Sequence, residues 1–255
     1  MKSWALVTGA TSGIGESFTR LLAENGYNVV LVARDLSRLR ERASGLESQY
    51  GIETVVVQAD LATNEGCAVI ENYIADNEIE VLINNAGFGT NKSFTVSELE
   101  VEQSLLDVLV RVPMRLMHVA LPGMKVRDQG IIINVSSVAG FIASGTYSAS
   151  KSYLTVLSES LNTELKDTNI KISALCPGYT RTEFHQRGRM SMKGLPTFMW
   201  LNADALVAKS WSDARKGNAI SIPGWQYQLL TFVIRIAPRS MVRKIGMNVR
   251  AKQRQ

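Results

Sequence analysis

The feature that most restricts the fold of this chain is a glycine-rich turn between an apolar strand and a helix. Residues 4–7 are predicted to form a buried strand, residues 8–15 carry glycines spaced Gly-x-x-x-Gly-x-Gly, and Phe18, Leu21 and Leu22 then follow with helical spacing. Glycines let the backbone approach a pyrophosphate, and the helix N-terminus offers free N–H groups and the positive end of its dipole. The turn therefore predicts a phosphate-binding cradle; a tight turn without a ligand is the alternative.

Strand and helix patterns alternate along the chain after this turn. Strands are predicted at residues 28–33, 54–59, 81–83, 131–135 and 218–222, a long helical region at residues 97–125, and helix caps at Asp35 and Thr63. Such alternation is typical of a parallel sheet with helices on both faces. The predicted fold class is α/β: a Rossmann-like, doubly wound parallel sheet in three layers, α/β/α. A single domain is predicted at residues 1–225, followed by a basic amphipathic extension at residues 226–255.

The residue after the second predicted strand bears on the choice of cofactor. Ala33 occupies the end of this strand and Arg34 follows it. In folds of this kind an acidic residue at the strand end binds a ribose 2′-hydroxyl, whereas an arginine accommodates a 2′-phosphate. Arg34 therefore favours NADP(H) over NAD(H), with an ordinary surface arginine as the alternative.

Tyr147 and Lys151 form the candidate catalytic pair. They lie four residues apart at the start of a helical pattern, so both side chains share one helix face. A neighbouring ammonium favours the phenolate and lowers the pKa of a tyrosine, which suits proton exchange near neutral pH. A solvated helix face is the alternative for this pair taken alone.

The C-terminal segment supplies the net positive charge of the chain. Nine of the 28 Lys and Arg residues follow Asp213, the last of the 23 acidic residues, and the net charge is +5. Arg235, Arg239 and Arg243 recur every four residues beside an apolar face, although Pro238 must kink or break any helix here. An interfacial membrane element fits this pattern, and so do a subunit contact and a solvated surface helix.

In order and spacing, these motifs resemble the classical short-chain dehydrogenases/reductases. The resemblance is carried by residues 8–15, Asp60, residues 84–87, Ser136 and Ser137, residues 147–151 and residues 176–182, and it covers about residues 1–225. It implies that Gly9, Ser12, Gly13, Ile14 and Gly15 line the pyrophosphate turn, that Asp60 and Leu61 flank the adenine, and that Asn85, Ala86 and Gly87 border the adenosine. Pro177, Gly178 and Thr180 are expected to wall the nicotinamide.

The resemblance also implies catalytic roles. Tyr147 would exchange the proton with the substrate oxygen, Ser137 would donate a hydrogen bond to that oxygen, and Lys151 would bind the nicotinamide ribose and lower the pKa of Tyr147. Donors at that oxygen suit hydride transfer to a carbonyl, because negative charge develops there while the cofactor carries the hydride.

Two positions depart from the family pattern. The family serine stands roughly thirteen residues before the tyrosine, whereas Ser137 stands ten before Tyr147, so Ser136 and Ser144 are kept as alternatives. The family also carries an asparagine that holds a relay water in the helix after the Asn-Ala-Gly turn, where this chain has Leu109. The relay is therefore expected to be altered or absent.

Residues 183–203 are irregular and rich in apolar side chains. Met190, Met192, Phe198, Met199 and Trp200 lie here. In the resembled family this region covers the substrate, and flexible thioethers and rings suit an apolar one. A loop that packs on the core is the alternative.

The sequence thus predicts an NADP(H)-dependent oxidoreductase that interconverts a ketone or aldehyde and an alcohol, on a lipophilic substrate. The alternative is a non-catalytic NADP(H)-binding regulator with the same fold. A homodimer or homotetramer is expected, without nucleic acid or metal, and with a peripheral membrane contact through the basic tail as an open alternative. Two distant cysteines, no signal peptide and no apolar run of membrane-spanning length favour a cytoplasmic protein.

Overall fold

The computed structural model describes residues 2–188, residue 192 and residues 194–253. At residue 245 and residues 248–253 only the backbone is described. Within these bounds the chain forms one open sheet with helices on both faces, as the predicted fold class requires.

Seven strands form the sheet, and all of their pairings are parallel. Their bounds are β1 Trp4–Thr8, β2 Asn28–Ala33, β3 Thr54–Gln58, β4 Ile79–Asn84, β5 Gly130–Val135, β6 Ile170–Leu175 and β7 Ile220–Ser221. The strand order is β3-β2-β1-β4-β5-β6-β7. Four of the strands, β1, β2, β4 and β5, are nearly continuous apolar runs, as expected for strands that are buried on both faces.

Ten helices connect and flank the strands in the described residues. They are α1 Gly13–Glu24, α2 Leu36–Tyr50, α3 Asn64–Asp76, α4 Leu99–Leu106, α5 Val112–Arg127, α6 Thr146–Glu164, α7 Phe184–Arg187, α8 Ala203–Arg215, α9 Trp225–Ile236 and α10 Arg239–Gln253. A π-helical turn, Asp107–Arg111, joins α4 to α5, and a 3₁₀ turn, Val138–Phe141, follows β5.

Two apolar cores, one on each face of the sheet, create the three layers. On one face Phe18 and Leu22 of α1 and Trp211 of α8 pack on inward side chains of the strands. On the other face α3, α5 and α6 contribute, with Ile70 and Leu116 fully buried. Burial of such side chains is the main favourable term for this architecture.

The predicted helix starts are confirmed at two caps. Asp35 accepts a hydrogen bond from the Arg38 N–H at 3.1 Å, and α2 begins directly after it. Thr63 accepts from the Gly66 N–H at 3.0 Å at the start of α3. Each cap satisfies a first-turn N–H that has no partner within the helix.

Strand β6 was not among the predicted strands, although it lies at the centre of one half of the sheet. It pairs with β5 over six residues, from Gly130 opposite Ile170 to Val135 opposite Leu175. Its position completes the alternation of strand and helix and directs the following residues, Cys176 onward, to the same edge as the other strand ends.

The C-terminal segment forms two helices that break at Pro238, as predicted. Tyr227 of α9 is 1% exposed and Val242 of α10 is 1% exposed, so both helices pack on the domain. The placement of a domain boundary at residue 225 remains a prediction. In the described part of the chain, we find no helix with the length and apolar character needed to cross a bilayer.

Candidate active site

The carboxyl ends of the strands border a large cleft of about 1590 Å³. It opens at the boundary between the paired strands β1 and β4, because the connections that follow these two strands run to opposite halves of the sheet, a point at which such folds bind ligands. Of the predicted site residues, those lining this cleft are Gly9, Ser12, Gly13, Ile14, Arg34, Asp60, Leu61, Asn85, Ala86, Gly87, Ser137, Tyr147, Lys151, Pro177, Gly178 and Thr180. Gly15 is the exception.

Gly15 serves the packing of the turn instead of the lining of the cleft. A Cβ at this position would overlap with the Gly9 carbonyl. Gly9 itself has a φ of +67°, a left-handed conformation that favours glycine, and an added Cβ there would lie 2.8 Å from Asn85 Nδ2. The two glycines therefore let β1, α1 and the residues after β4 approach one another closely.

The start of α1 fits an anionic ligand. Ser12 precedes the helix in an extended conformation, and its side chain caps no N–H of the first turn. These N–H groups lack helical partners and carry the positive end of the helix dipole. Ser12, Gly13 and Ile14 line the cleft here, so the helix presents to it the donors that a pyrophosphate requires.

Asn85 anchors the turn after β4 to β1. Its side-chain amide donates to the Thr8 carbonyl at 2.8 Å, while the Asn85 and Ala86 N–H groups donate to the Thr8 hydroxyl at 2.9 and 3.0 Å. The floor of the cleft between β1 and β4 is thereby fixed by side chain and backbone together.

Two arginines, one of them missed by the sequence analysis, line the end of the cleft beside β2. Arg34 is exposed and follows β2 directly, as predicted. Arg38, one turn into α2, lines the same end and forms a two-pronged ion pair with Glu183, at 2.9 and 3.2 Å. This hydrogen bonding lowers the pKa of Glu183 to about 2. A spacing of four from Arg34 was the available signal for Arg38.

Asp60 and Leu61 form the opposite wall of this end. The Asp60 carboxylate accepts from the Ala62 N–H at 3.1 Å, which fixes the turn after β3, and Leu61 is buried. Gly66 packs so tightly on this turn that an added Cβ would overlap with the Asp60 carbonyl.

The structure distinguishes between the two serines that follow β5. The Ser136 hydroxyl is buried and lies 2.7 Å from both the Lys151 carbonyl and the Thr155 hydroxyl, facing α6. Ser137 is partly exposed, accepts from the Ala139 N–H at 3.1 Å and lies near enough to the Tyr147 phenol to lower the pKa of that phenol. Ser137 is therefore the serine of this pair whose hydroxyl faces the reacting space. Ser144 also lines the cleft.

Burial sets the acidity of the catalytic pair. It raises the pKa of the Tyr147 phenol to about 12, against a smaller lowering by the Ser137 hydroxyl. It lowers the pKa of Lys151 to about 8. The Lys151 ammonium lies 5.7 Å from the centre of the Tyr147 ring. Lys151 is not among the causes of the Tyr147 shift, so its expected lowering of the Tyr147 pKa stays a prediction.

Leu109 occupies the π-helical turn and is 1% exposed. An added Cβ on Gly87 would lie 2.9 Å from Leu109 Cδ2 and 4.0 Å from Lys151 Nζ. The leucine therefore reaches the neighbourhood of the ammonium but offers it no hydrogen-bond acceptor.

The shortened connection between Ser137 and Tyr147 is supported from two sides. The Val138 N–H donates to the Pro177 carbonyl at 3.0 Å, and an added Cβ on Gly140 would lie 3.0 Å from the α6 backbone. On the outer side, Gly246 of α10 packs so closely that a Cβ there would overlap with the Ala143 carbonyl. The sequence analysis did not predict the packing role of either glycine, since nothing in the sequence relates residue 246 to this loop.

The C-terminal helices also complete the far wall of the cleft. Tyr227 of α9 packs its ring on Gly178, accepts from the Tyr179 N–H at 2.9 Å and donates to the Met199 carbonyl at 2.6 Å. Thr180 donates to the Gly178 carbonyl at 3.0 Å. The ring contact and these hydrogen bonds hold the segment after β6 against the cleft.

The end of the cleft beyond Tyr147 is mainly apolar. The residues that line it include Phe184, His185, Met192, Leu195, Met199, Leu230 and Ile234. Burial lowers the pKa of His185, so its ring is neutral near pH 7. Of the apolar residues predicted to cover a substrate, Phe198 is 62% exposed, and Met190 lies outside the described residues.

The arrangement can bind a phosphate-bearing ligand at one end and an apolar molecule at the other. Between them, the hydroxyls of Ser137 and Tyr147 can both donate to one oxygen atom. In the part of the chain that the structure describes, no three His, Cys, Asp or Glu side chains are grouped so as to ligate a metal.

Comparison with known proteins identifies relatives of the chain. A family model described as short chain dehydrogenase matches residues 3–192. The very-long-chain 3-oxoacyl-CoA reductase of Laccaria bicolor is 35% identical over 180 residues, which cover 68% of this chain and 53% of that protein. The 17-beta-hydroxysteroid dehydrogenase type 3 of Rattus norvegicus is 35% identical over 182 residues, covering 69% and 60%. The chain thus spans somewhat more than half the length of these curated relatives.

A solved structure shares both fold and sequence with the chain. The short-chain dehydrogenase from Sphingobium yanoikuyae, solved in complex with NADPH, superposes with a TM-score of 0.84 at 30% identity, covering 91% of this chain and 93% of that one.

We expect Gly178→Ala to destabilise the protein by about 1–3 kcal/mol, because the new methyl group overlaps with the Tyr227 ring in a packed wall. Urea unfolding followed by circular dichroism measures the change. Gly45→Ala in α2 is the matched control, since no atom lies within 4 Å of its Cβ. The control should raise stability by up to about 1 kcal/mol through helix propensity. Equal stability of the two variants would contradict the packing described.

Proposed function

The chain belongs to the short-chain dehydrogenase family, and from this premise we propose that it is an NADP(H)-dependent oxidoreductase that interconverts a ketone or aldehyde and an alcohol. The observation that carries the proposal is the placement of Ser137, Tyr147 and Lys151 around one part of the cleft, with the Lys151 ammonium 5.7 Å from the centre of the Tyr147 ring. The reductase and dehydrogenase activities of its relatives support the same reaction class.

The proton chemistry follows from the acidity of Tyr147. With a pKa of about 12 the phenol is protonated at neutral pH, so it is ready to donate to a carbonyl oxygen on which negative charge develops. Ser137 supplies a second donor to the same oxygen, and such donors stabilise the transition state more than the ground state. When bound, the nicotinamide supplies or accepts the hydride.

The cofactor would be held along the first half of the sheet. The start of α1 at Ser12, Gly13 and Ile14 offers N–H donors for the pyrophosphate, and Asp60 and Leu61 form a wall for the adenine. Arg34 places a cation after β2 where a 2′-phosphate would lie, and Arg38 in the first turn of α2 lines the same end of the cleft. The NADPH complex of the Sphingobium yanoikuyae relative supports this cofactor.

The substrate would be lipophilic. Phe184, Met192, Met199, Leu230 and Ile234 give the end of the cleft beyond Tyr147 an apolar lining. Apolar pockets with few polar groups bind apolar ligands and orient them through those groups. Fatty acyl and steroid names among the relatives agree with this class.

The alternative of a non-catalytic regulator rests on Leu109, which replaces a residue of the family's proton relay, and the oxidoreductase activities of the relatives do not favour it. The intact set of Ser137, Tyr147 and Lys151 favours the enzyme, since a binding protein has no need of a buried ammonium beside a phenol.

We also propose that α9 and α10 contact an anionic lipid surface. Outward side chains of α9 form an apolar surface: Trp225 is 71% exposed, Phe232 62% and Ile236 71%. Exposed Arg239 and Arg243 of α10 continue from it, and no acidic residue follows Asp213. An apolar face beside cations suits the headgroup region of a bilayer.

Self-association and a cytoplasmic location complete the proposal. Apolar side chains exposed on α4, α5 and α6, namely Leu106, Met114, Tyr153 and Val156, would suit a contact between copies of the chain as a homodimer or homotetramer. Both cysteines are free and buried, which suits a reducing compartment. The lipid contact would then be peripheral, on the cytoplasmic face of a membrane.

Tyr147→Phe should reduce NADPH-dependent turnover of a verified carbonyl substrate by at least about 10²-fold while leaving cofactor binding intact, because only the hydroxyl that exchanges the proton is lost. NADPH oxidation followed by absorbance and fluorescence titration of the cofactor measure the two effects. Ser137→Ala should slow turnover by about 10²–10³-fold through loss of one donor to the oxyanion.

The control for these variants is Tyr153→Phe. Tyr153 lies on the same helix and its hydroxyl contacts Met114, outside the cleft. Wild-type turnover in Tyr147→Phe would exclude the proposed mechanism. A crippled Ser144→Ala beside an active Ser137→Ala would move the serine role to Ser144.

Arg34→Ala should weaken NADPH binding by about 1.5–3 kcal/mol through the loss of a charge-assisted contact, with little effect on NADH. Isothermal titration calorimetry with both cofactors measures the difference. Arg40→Ala is the control, because Arg40 is an exposed arginine of α2 that does not line the cleft. Equal weakening of both cofactors would exclude a 2′-phosphate contact at Arg34.

The full chain should float with anionic vesicles at low salt, and much less with neutral vesicles or at high salt. A Phe232→Ser/Ile236→Ser variant should lose most of this binding. Val156→Ser, at a residue 61% exposed on α6, is the matched control and should bind like the wild type. Absence of flotation for the full chain would leave α9 as a contact between protein copies or a plain surface helix.

A further inference from the structure

The Lys151 ammonium lies between the main cleft and a second, much smaller cavity. The small cavity has a volume of about 10 Å³, close to the smallest space that can hold one water molecule. Lys151 and Val135 line both spaces, and Asn84 and Leu109 line the small one. Lys151 therefore lies between the two spaces, and it is the residue whose positive charge the proposed reaction depends on most.

The hydrogen bonds of Lys151 are incomplete without a partner in this cavity. An ammonium carries three N–H donors, and Lys151 is only 5% exposed. One donor goes to the Val135 carbonyl at 2.6 Å. Leaving a buried charged donor without an acceptor is costly, so the other two donors require acceptors on the sides of the main cleft and of the small cavity.

Asn84 brings an unused acceptor to the small cavity. It is 6% exposed, and its Oδ1 has no hydrogen-bond partner. Its Nδ2 donates to Asn134 Oδ1 at 2.8 Å, Asn134 Nδ2 donates to Ser158 Oγ at 2.9 Å, and Ser158 donates to the Leu154 carbonyl at 2.6 Å.

The order of these donors fixes the orientation of both amides. A serine hydroxyl has one proton, and Ser158 gives it to Leu154, so Ser158 must accept from the Asn134 amide nitrogen. Asn134 then presents its oxygen to Asn84 Nδ2. The Asn84 oxygen consequently points away from this chain of hydrogen bonds and stays available for another donor.

The π-helical turn supplies a second acceptor. The Val112 N–H donates to the Asp107 carbonyl, and Pro113 has no N–H. The Val108 carbonyl therefore lacks both its α-helical and its π-helical partner, and Val108 lines the small cavity. Such turns often occur at functional sites.

We propose that one water molecule occupies the small cavity, accepting from Lys151 Nζ and donating to Asn84 Oδ1 and to the Val108 carbonyl. Asn84, at the end of β4, is then a positioning residue that holds the ammonium through this water. It provides the side-chain acceptor that Leu109 lacks. The water site follows from the geometry alone, whereas its effect on turnover rests on the proposed oxidoreductase function.

A high-resolution crystal structure of the full chain tests the site directly. An ordered water within hydrogen-bond distance of Lys151 Nζ and Asn84 Oδ1 is expected. A dry cavity, or a water that contacts only one of the two, overturns the proposal. Because this readout needs no activity, a water present in a protein without carbonyl reductase activity would refute the proposed function and leave the site standing.

Kinetics of Asn84→Ala test its positioning role. We expect kcat to fall about 10-fold to 100-fold, the effect of one hydrogen bond to a charged group, with the KM for the carbonyl substrate within about twofold of wild type. Ser210→Ala is the control: it removes a fully buried hydroxyl of α8 that lines neither the cleft nor the small cavity. Its kcat should stay within about twofold of wild type. Equal losses in the two variants would make the role of Asn84 merely structural.

Two further variants test whether Asn84 acts through its acceptor oxygen or through its donor nitrogen. Asn84→Asp keeps an oxygen facing the cavity but loses the donor to Asn134, so its kcat should exceed that of Asn84→Ala. Leu109→Asn, added to Asn84→Ala, restores an amide on the other side of the ammonium and should recover at least about tenfold in kcat. Failure of both to recover activity would overturn the role in positioning Lys151.

Discussion

The parallel direction of all seven strands is the constraint on which the rest of the molecule depends. Because every strand ends at the same edge, the residues that follow β1, β2, β4, β5 and β6 meet there although they are far apart in sequence. The chain diverges between β1 and β4, and this divergence opens the cleft. Chemistry is therefore confined to loops and helix starts, while the strands contribute apolar surface that fixes their positions.

The main energetic cost at the site is the burial of polar groups. A phenol and an ammonium lie near each other on the lining of the cleft, and burial shifts both pKa values in favour of the neutral forms, to about 12 for Tyr147 and about 8 for Lys151. The protein offsets this cost with fixed acceptors, first the Val135 carbonyl. The buried amides between β4, β5 and α6 reduce the same cost, because each places a dipole where solvent is absent.

Local patterns were sufficient to predict much of the fold and the floor of the cleft. Glycine spacing, apolar strands and the caps Asp35 and Thr63 are encoded within a few residues, so they could be read directly from the sequence. Contacts between distant segments could not. The approach of Gly246 to Ala143 and the pairing of Arg38 with Glu183 depend on how helices pack, and the acidity of Tyr147 depends on total burial. A helical spacing of four predicted a cation beside the phenol, but it could not predict how far burial shifts the pKa of either group.

The support that α9 and α10 give to the loop before Tyr147 has a consequence for the order in which the protein can mature. These helices are synthesised after every strand of the sheet, and chains of this size commonly fold through intermediates with native-like secondary structure and incomplete tertiary packing. A nascent chain can thus possess its sheet and its phosphate cradle before Gly246 and Tyr227 are available to brace the reacting end. Cofactor affinity would arise first in the life of the molecule, and competence for catalysis would arise last.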